Sequence, residues 1–507
     1  MKMAEDISTM KMAEDISTMK MAEDISIPVL IVGAGAAGLS TAVTLAQQGV
    51  EAILVERRPD PSPLPRATFA STRTLELFRS WGLEKEIWAQ AMDIPSPMGS
   101  TSRTLASVSS GGTFPVGIPS AEQAAVVSPT APAWIAQDDL EGVLLQHLRS
   151  NGVVKVVFST ELLALSHDSS GVYADLLDHR TGSTTSIQAR YLVAADGAHS
   201  SVRNHLGIAM EGPDGLAAVA TALFRGPLWD VVGEHRHGIY DITHPDAPGM
   251  FIAAGRDDRW RFGQMWQPGM KPFDDYTSKR WAEIIRIASG VDDLKIQIER
   301  IGSYTFAAQL AERYRHGDAF LVGDAAHRLT PRGATGMNTA IHDGHNLGWK
   351  LAYVLRGLAG PELLDTYETE RRPIAAHNVA RSASPDGSVR ETGEVLHTDL
   401  GGRIPHAWLT VDNRRLSTLD LLGPRLTLIT GPEGAQWHAV AARHFGGREV
   451  LDLRTVDAIT AATLGVRGSG ALLVRPDALP ASLWPTAGDN IVDALHEGVQ
   501  AALSNYD

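Results

Sequence analysis

The sequence predicts an α/β protein in three parts: a Rossmann-like dinucleotide-binding domain, an antiparallel sheet inserted into it, and a small α/β domain at the C-terminal end. Three observations lead there. Residues 27–40 run from an apolar strand through Gly33-Ala-Gly35-Ala36-Ala37-Gly38 into a helix, and Ala52-Ile-Leu-Val-Glu56 follows as a second strand ending in an acid. Residues 215–305 alternate apolar and polar side chains over short runs, as antiparallel strands do. Beyond residue 405, three apolar runs are separated by alanine-rich helical stretches.

The totals limit what such a chain can do. At 507 residues it has room for two or three domains with ample core. Its net charge of −14, from 45 basic and 59 acidic side chains, argues against a nucleic acid or an anionic membrane as partner. Cysteine is absent, which excludes disulfides, thiolate metal sites, iron–sulfur clusters and cysteine nucleophiles. The uncharged run from Pro28 to Ala46 has the length of a membrane span. Its three closely spaced glycines suit a strand–turn–helix better, and the residues before it are acidic on balance where a signal peptide is basic. No membrane association is expected, and the cytoplasm is the expected location.

Taken in order, residues 1–26 are an internal repeat: Met1-Lys-Met-Ala-Glu-Asp-Ile-Ser-Thr9 recurs from Met10 and, truncated, from Met19. Its period is too short for a solenoid unit, so it reads as a duplicated, flexible or loosely helical leader, with folding starting near Ile27. In the glycine turn, Gly33 permits the sharp exit from the strand, Gly35 lets backbone approach a pyrophosphate, and Gly38 lets the helix pack closely. The helix N-terminus then offers free amides and a positive dipole end to the phosphates. Glu56 stands where it can accept a hydrogen bond from a ribose, with Arg57 beside it.

The proline-dense stretch 59–65 is a loop, residues 74–81 have helical spacing ended by Gly82, and 96–133 reads as loops and short strands. A helix follows over 137–148, capped by Gln137 or Asp138 and stopped near Gly152. Strands are expected at 153–158, 172–177 and 191–196, then in the inserted sheet at 238–243, 250–254 and 260–266, with a helix at 281–290. Phe320-Leu-Val-Gly323-Asp324 returns to a buried strand. Met337 to Leu358 reads as a helix that Gly360 ends, and Pro361 opens another. Residues 383–405 read as a linker, and 425–430, 450–453 and 470–475 as strands of the terminal domain.

Two further segments carry more. One is Tyr191-Leu-Val-Ala-Ala-Asp196-Gly197-Ala-His-Ser-Ser-Val-Arg203. The other begins Phe320-Leu-Val-Gly323-Asp324-Ala-Ala-His327-Arg-Leu-Thr-Pro331-Arg-Gly333-Ala-Thr-Gly336-Met337-Asn338 and runs on to Trp349-Lys350. With the glycine turn, they resemble the motif set of the single-component FAD-dependent aromatic hydroxylases (group A flavoprotein monooxygenases) over about residues 27–380, closing with Tyr367-Glu-Thr-Glu-Arg-Arg-Pro373.

The resemblance implies FAD, bound non-covalently, with NADPH or NADH as a transient reductant and O2 as co-substrate. A C4a-hydroperoxide of the reduced flavin would then attack an electron-rich ring. It implies a Rossmann-like FAD-binding domain at 27–190, 191–214 and 306–382, and an antiparallel-sheet substrate domain at 215–305, to which 96–133 contributes. Glu56 becomes a ligand of the adenosine ribose. Asp196 takes part in binding FAD and, transiently, the nicotinamide nucleotide; the alternative reading from the residues alone is that Asp196 and, more so, Arg203 only tie a strand end to the next helix. Asp324, after Gly323, can accept a hydrogen bond from a ribityl hydroxyl. Pro331, Gly333 and Gly336 leave backbone close to the flavin ring. The helix starting near Met337, with Asn338 in its first turn, aims amides at the pyrimidine edge, where reduction places negative charge. Arg66 and Gln137 match positions that contact FAD. Pro405-His-Ala-Trp-Leu409, Ser417-Thr-Leu-Asp-Leu421 and Leu473-Val-Arg-Pro-Asp477 resemble the thioredoxin-like C-terminal domain of phenol and polyketide-tailoring hydroxylases, here at 406–507. Without cysteine it implies a packing or scaffold role.

The expected substrate is a small phenolic, aromatic or polycyclic polyketide molecule. His235, His237, Tyr240 and Trp266 lie on the sheet that roofs the flavin in this family and are candidates for substrate contact, although period-two alternation equally allows each to face the other way. His342-Asp-Gly-His345 and His235-Arg-His237 lack zinc-site spacing, and no metal is expected. Phenol hydroxylases place a carboxylate a few residues before an Arg-Thr-Leu-Glu helix start. Aligned on Arg73-Thr-Leu-Glu76, this chain has Thr68 there, which favours a larger polycyclic phenol acidic on its own account. The Trp-x-Trp-x-Ile-Pro pattern of flavin halogenases is missing; only Trp88 precedes Ile94-Pro95. No catalytic base is assigned. A Baeyer–Villiger oxygenase or flavin dehydrogenase acting on a polycyclic ketone stays open, as do a flavin-holding protein that traps a reactive intermediate, and a homodimer.

Overall fold

The computed structural model describes residues 25–267, 270, 273, 276–446 and 450–503, so the repeat that opens the chain lies, up to residue 24, outside the described residues. Strand Ile25–Val32, helix Ala36–Gln47 and strand Ala52–Val55 form the expected first unit. The first strand lies parallel between Ala52–Val55 and Thr184–Ala194. Val154–Val157 extends the parallel sheet on one side and Ala319–Leu321 on the other. Val29, Leu30 and Ile31 have no exposure, as expected of a parallel strand covered on both faces. Because these strands run the same way, Gly33, Glu56, the Ala195-Asp196 turn and the Gly323-Asp324 turn all emerge at one edge.

Helix Gly336–Leu355 packs along Ala36–Gln47. Glycines allow the approach: a Cβ on Gly344 would lie 2.5 Å from Ala37 O, and one on Gly348 2.8 Å from Thr44 Cβ.

The second sheet has seven strands in the order Gln297–Thr305, Ala218–Arg225, Arg259–Met265, Gly249–Ala253, Ile239–Ile242, Met98–Ser102 and Gly112–Pro115. It is antiparallel except where Met98–Ser102 runs parallel to Ile239–Ile242. Phe224, Tyr240, Phe251, Trp260 and Phe262 fill a core with Trp281 and Ile284 of helix Ser278–Ser289.

The terminal domain orders its strands Leu451–Thr455, Leu426–Thr430, Ala471–Val474, Pro480–Trp484, the first pair parallel and the others antiparallel. With helices Ala435–Phe445, Ala458–Thr463 and Ile491–Leu503 this is the thioredoxin-like arrangement. The molecule is thus an α/β protein with a Rossmann-like domain, an inserted sheet and a small thioredoxin-like domain.

Several local expectations need correction. Helix Gln137–Asn151 starts after Ala136 and has no side-chain cap, so neither Gln137 nor Asp138 caps it. Helix Gly336–Leu355 stops before Leu358, and Pro361 opens a 3-10 turn, Pro361–Leu364, that leads directly into helix Asp365–Ala383. The 383–405 stretch contains helix Thr392–Leu400, which packs on helix Thr72–Ser80.

Candidate active site

The sheet edge forms a tight glycine cradle of a shape that fits a diphosphate. Gly33 has φ +110°, and a Cβ there would lie 2.3 Å from Ala195 O; one on Gly38 would lie 2.0 Å from Gly33 O. Both residues therefore close the turn tightly onto neighbouring backbone. Gly35 differs, because its Cβ would meet only Glu141 Oε1, at 3.8 Å. It is the N-cap of Ala36–Gln47 and has no side chain to cap that helix, so the amides around Ala36 and Ala37 face the sheet edge, with the Glu141 carboxyl beside that of Ala36.

Glu56 ends its strand 6 % exposed. Its Oε2 accepts from the Ala34 amide at 3.0 Å and its Oε1 from Arg58 Nε at 2.9 Å. Burial raises its pKa, but the Arg58 guanidinium and these amides outweigh burial and hold the carboxyl below its ordinary value. Arg58 is the neighbour that pairs with Glu56, while Arg57 is exposed. Arg66 is exposed too; its carbonyl and that of Pro65 accept from Arg261 Nη1 at 3.3 and 3.4 Å. Gln137 Nε2 donates to Glu141 Oε1 at 2.7 Å.

Asp196 accepts from Ser201 Oγ at 3.2 Å and the Val202 amide at 3.1 Å through Oδ2, whereas Oδ1 is shielded from solvent without a partner. Such an orphaned acceptor fits a ligand hydroxyl. Arg203 does more than tie a strand to a helix: its Nη1 reaches Ala198 O at 3.3 Å and Ala325 O at 3.1 Å, joining the Asp-Gly turn to the Gly-Asp turn. Gly323 has φ +58°, and a Cβ there would lie 2.9 Å from Ala37 Cβ, so this turn sits directly on the glycine-turn helix. Asp324 beside it is exposed.

Asp343, which sequence reasoning missed, fixes that turn. It is fully buried, with Oδ2 2.6 Å from His327 Nε2 and 3.3 Å from the Gly323 amide, and Oδ1 accepting from Arg371 Nε at 2.8 Å. Burial pushes its pKa up, and Arg371 and His327 more than reverse this.

Before the helix Gly336–Leu355, Pro331 is exposed, Gly333 has φ +87° and Ala334 +53°, and Arg390 donates to Gly333 O. Gly336 opens the helix and Met337 is buried. Asn338 Oδ1 accepts from the Ser71 amide and Thr74 Oγ1, each at 2.8 Å; its Nδ2 donates to Phe69 O at 3.2 Å and Ala334 O at 3.0 Å. Its side chain is fully used in fastening residues 69–74 to the turn, so a cofactor meets its main chain. A cleft opens here, lined by Phe69, Gly333, Asn338, His342, Arg390 and Asp399. Burial raises the Asp399 carboxyl to about 6 and lowers Arg390 to about 10. Both lie in the stretch read as a linker.

The sheet candidates divide. Tyr240 has no exposure; its hydroxyl accepts from the His237 amide at 2.8 Å and donates to His235 O at 3.0 Å. His237 is 8 % exposed, with Nδ1 2.9 Å from Met98 O. As substrate contacts Tyr240 and His237 are corrected: alternation turns Tyr240 into the sheet core, and His237, just before the strand, is held at Met98 O, with the Tyr240 hydroxyl locking this corner to the His235 backbone. Trp266 is 46 % exposed at a strand end. Asp241 alternates with Tyr240 and therefore lies on the opposite face; it accepts from Thr101 Oγ1 at 3.3 Å. Arg261, on that same face, reaches the 65–66 loop. Among the described residues no group of three His, Asp or Glu could hold a metal, and no helix is long and apolar enough to cross a membrane.

This edge, with its glycine cradle, strand-end acid and orphaned acceptor, fits the FAD of a flavoprotein. Residues 26–382 match the FAD binding domain family and 397–505 the aromatic-ring hydroxylase C-terminal family; the chain belongs to this family of FAD-dependent monooxygenases. It is 34 % identical to tetracenomycin A2 monooxygenase-dioxygenase of Streptomyces glaucescens, over 89 % of this chain and 92 % of that one. It is 36 % identical to aklavinone 12-hydroxylase of Streptomyces peucetius subsp. caesius, over 82 % and 94 %. The crystal structure of aklavinone-11 hydroxylase with FAD and aklavinone superposes with a TM-score of 0.85 at 31 % identity, covering 95 % of this chain and 100 % of that one. The enzyme is an FAD-dependent monooxygenase, using O2 and a nicotinamide reductant.

Proposed function

We propose that the protein hydroxylates a polycyclic phenol of polyketide type, with the cofactor held by 27–214 and 306–382 and the substrate by 215–305 and 96–133, in the cytoplasm. The observation that carries this reading is the likeness, across nearly the whole chain, to a hydroxylase whose structure holds FAD and aklavinone together. When bound, FAD supplies the reductive activation of O2. The chain's own residues bind, orient and move protons. Amides near Ala36 and Ala37 would hold the diphosphate, Glu56 the adenosine ribose, and Asp196 and Asp324 hydroxyls of the cofactor. The N-terminus of Gly336–Leu355 favours negative charge beside it, and the buried Arg390 cation adds to that field.

Thr68 brings no charge to the position where phenol hydroxylases carry an acid, but Asp399 in the cleft does. With its carboxyl near 6, it is mostly ionised at neutral pH and able to take a phenolic proton. The test is NAD(P)H oxidation by the purified yellow protein against a panel of phenols. Three- and four-ring phenols are expected to accelerate it, and phenol itself hardly at all. Acceleration by simple phenols alone, or by none, contradicts the reading. Asp399→Asn should slow hydroxylation by about 10²–10⁴-fold for weakly acidic phenols and less for acidic ones.

A further inference from the structure

One buried acid at the cofactor edge has no role in that scheme. Glu141 is 4 % exposed, on a helix that packs against Ala36–Gln47. Its Oε1 is held by Gln137 Nε2 at 2.7 Å and stands 3.8 Å from the place a Cβ would take on Gly35, the N-cap residue of that helix; the carboxyl faces the Ala36 amide. A carboxyl is therefore already at the amides that a diphosphate must approach. The charged groups facing it are Arg58 and Arg66, both from the loop after strand Ala52–Val55. Arg58 is engaged by Glu56 at 2.9 Å, and Arg66 is exposed. Two anions sharing one set of amides in a water-poor site repel strongly, and the one that can shed its charge by protonation does so.

We propose that Glu141 is a proton-linked element of cofactor capture: FAD is held with Glu141 as the neutral acid, so binding takes up one proton from solvent and release returns it. The geometry is supported by the acid's titration. Burial, only partly offset by Gln137, Arg66 and Arg58, raises its pKa to about 7 without cofactor, and an approaching diphosphate raises it further. Below that value the acid is already neutral and capture is insensitive to pH. Above it, each captured FAD must bring a proton, and affinity falls toward about tenfold per pH unit. The inference rests on FAD occupancy of the fold and is independent of the substrate.

The experiment is calorimetric titration of the full-length apoprotein with FAD, from about pH 6 to about pH 9, in buffers of different ionisation enthalpy. Wild type should take up close to one proton per FAD at about pH 8 and bind progressively more weakly above about pH 7. Glu141→Gln should take up none and bind with an affinity flat in pH. A flat wild-type profile without proton uptake overturns the proposal whatever the variant does, and so does uptake that persists in Glu141→Gln. No FAD binding at any pH contradicts the cofactor assignment as well, whereas pH-independent binding contradicts this inference alone.

Discussion

A methyl group added at residue 38 would sit 2.0 Å from Gly33 O, whereas one added at residue 35 meets nothing closer than 3.8 Å. The two substitutions should therefore differ in kind. Gly38→Ala should lower the melting temperature of the apoprotein and its FAD content together. Gly35→Ala should leave the apoprotein melt unchanged yet weaken FAD by about tenfold or more, about 1.4 kcal/mol, read by flavin fluorescence on dilution. Asp343→Asn is the third case, because it leaves Arg371 and His327 buried without their anion, at a cost of about 3–5 kcal/mol in chemical denaturation. Asp343 is held below its unfolded value. Its contribution is thus present above the ordinary carboxylate range, near 4, and is lost as pH falls through the folded pKa. The glycines and Glu56 were legible because their spacing states their geometry. Arg58 was not: Arg57 and Arg58 are chemically identical, and only the exit angle of the strand decides which turns back to Glu56. Asn338 was legible in place but not in use, since its partners at residues 69–74 are over 260 positions away.

Among elements, the helix Thr392–Leu400 went unread because its apolar residues Val395, Leu396 and Leu400 are only half-buried and form no full apolar stripe. Arg390 and Asp399 were hidden with it. Tyr240 had the right strand and the wrong face, which alternation alone cannot choose. The terminal domain was legible in outline, while its attachment was not. Asp477 Oδ2 lies 2.5 Å from Arg475 Nη2 and 3.2 Å from Trp349 Nε1; Arg475 in turn pairs with Glu370 at 2.7 Å, and Lys350 with Glu370 at 2.8 Å. This buried network pins the terminal domain to the helix whose N-terminus borders the cleft. Asp477→Ala should destabilise the protein by about 3–5 kcal/mol and raise amide hydrogen exchange around residues 346–353. Unchanged exchange there would show that the domain is merely appended.

At the scale of the whole molecule, the order of the parallel strands brings residues 33, 56, 196 and 324 to one edge across nearly 300 positions of sequence. Periodicity cannot show that; ordered motifs can, because each marks a strand end with its own chemistry. Nothing in the pattern of residues names the molecule oxidised, which is why the substrate rests on likeness to relatives and on the cleft. The most direct test of a hydroxylase is the fate of labelled dioxygen with a polycyclic phenol and NAD(P)H. The account predicts one labelled oxygen in a new aromatic hydroxyl, with one reductant consumed per product. Label inside an expanded ring, or an oxidised product carrying no label at all, would contradict it.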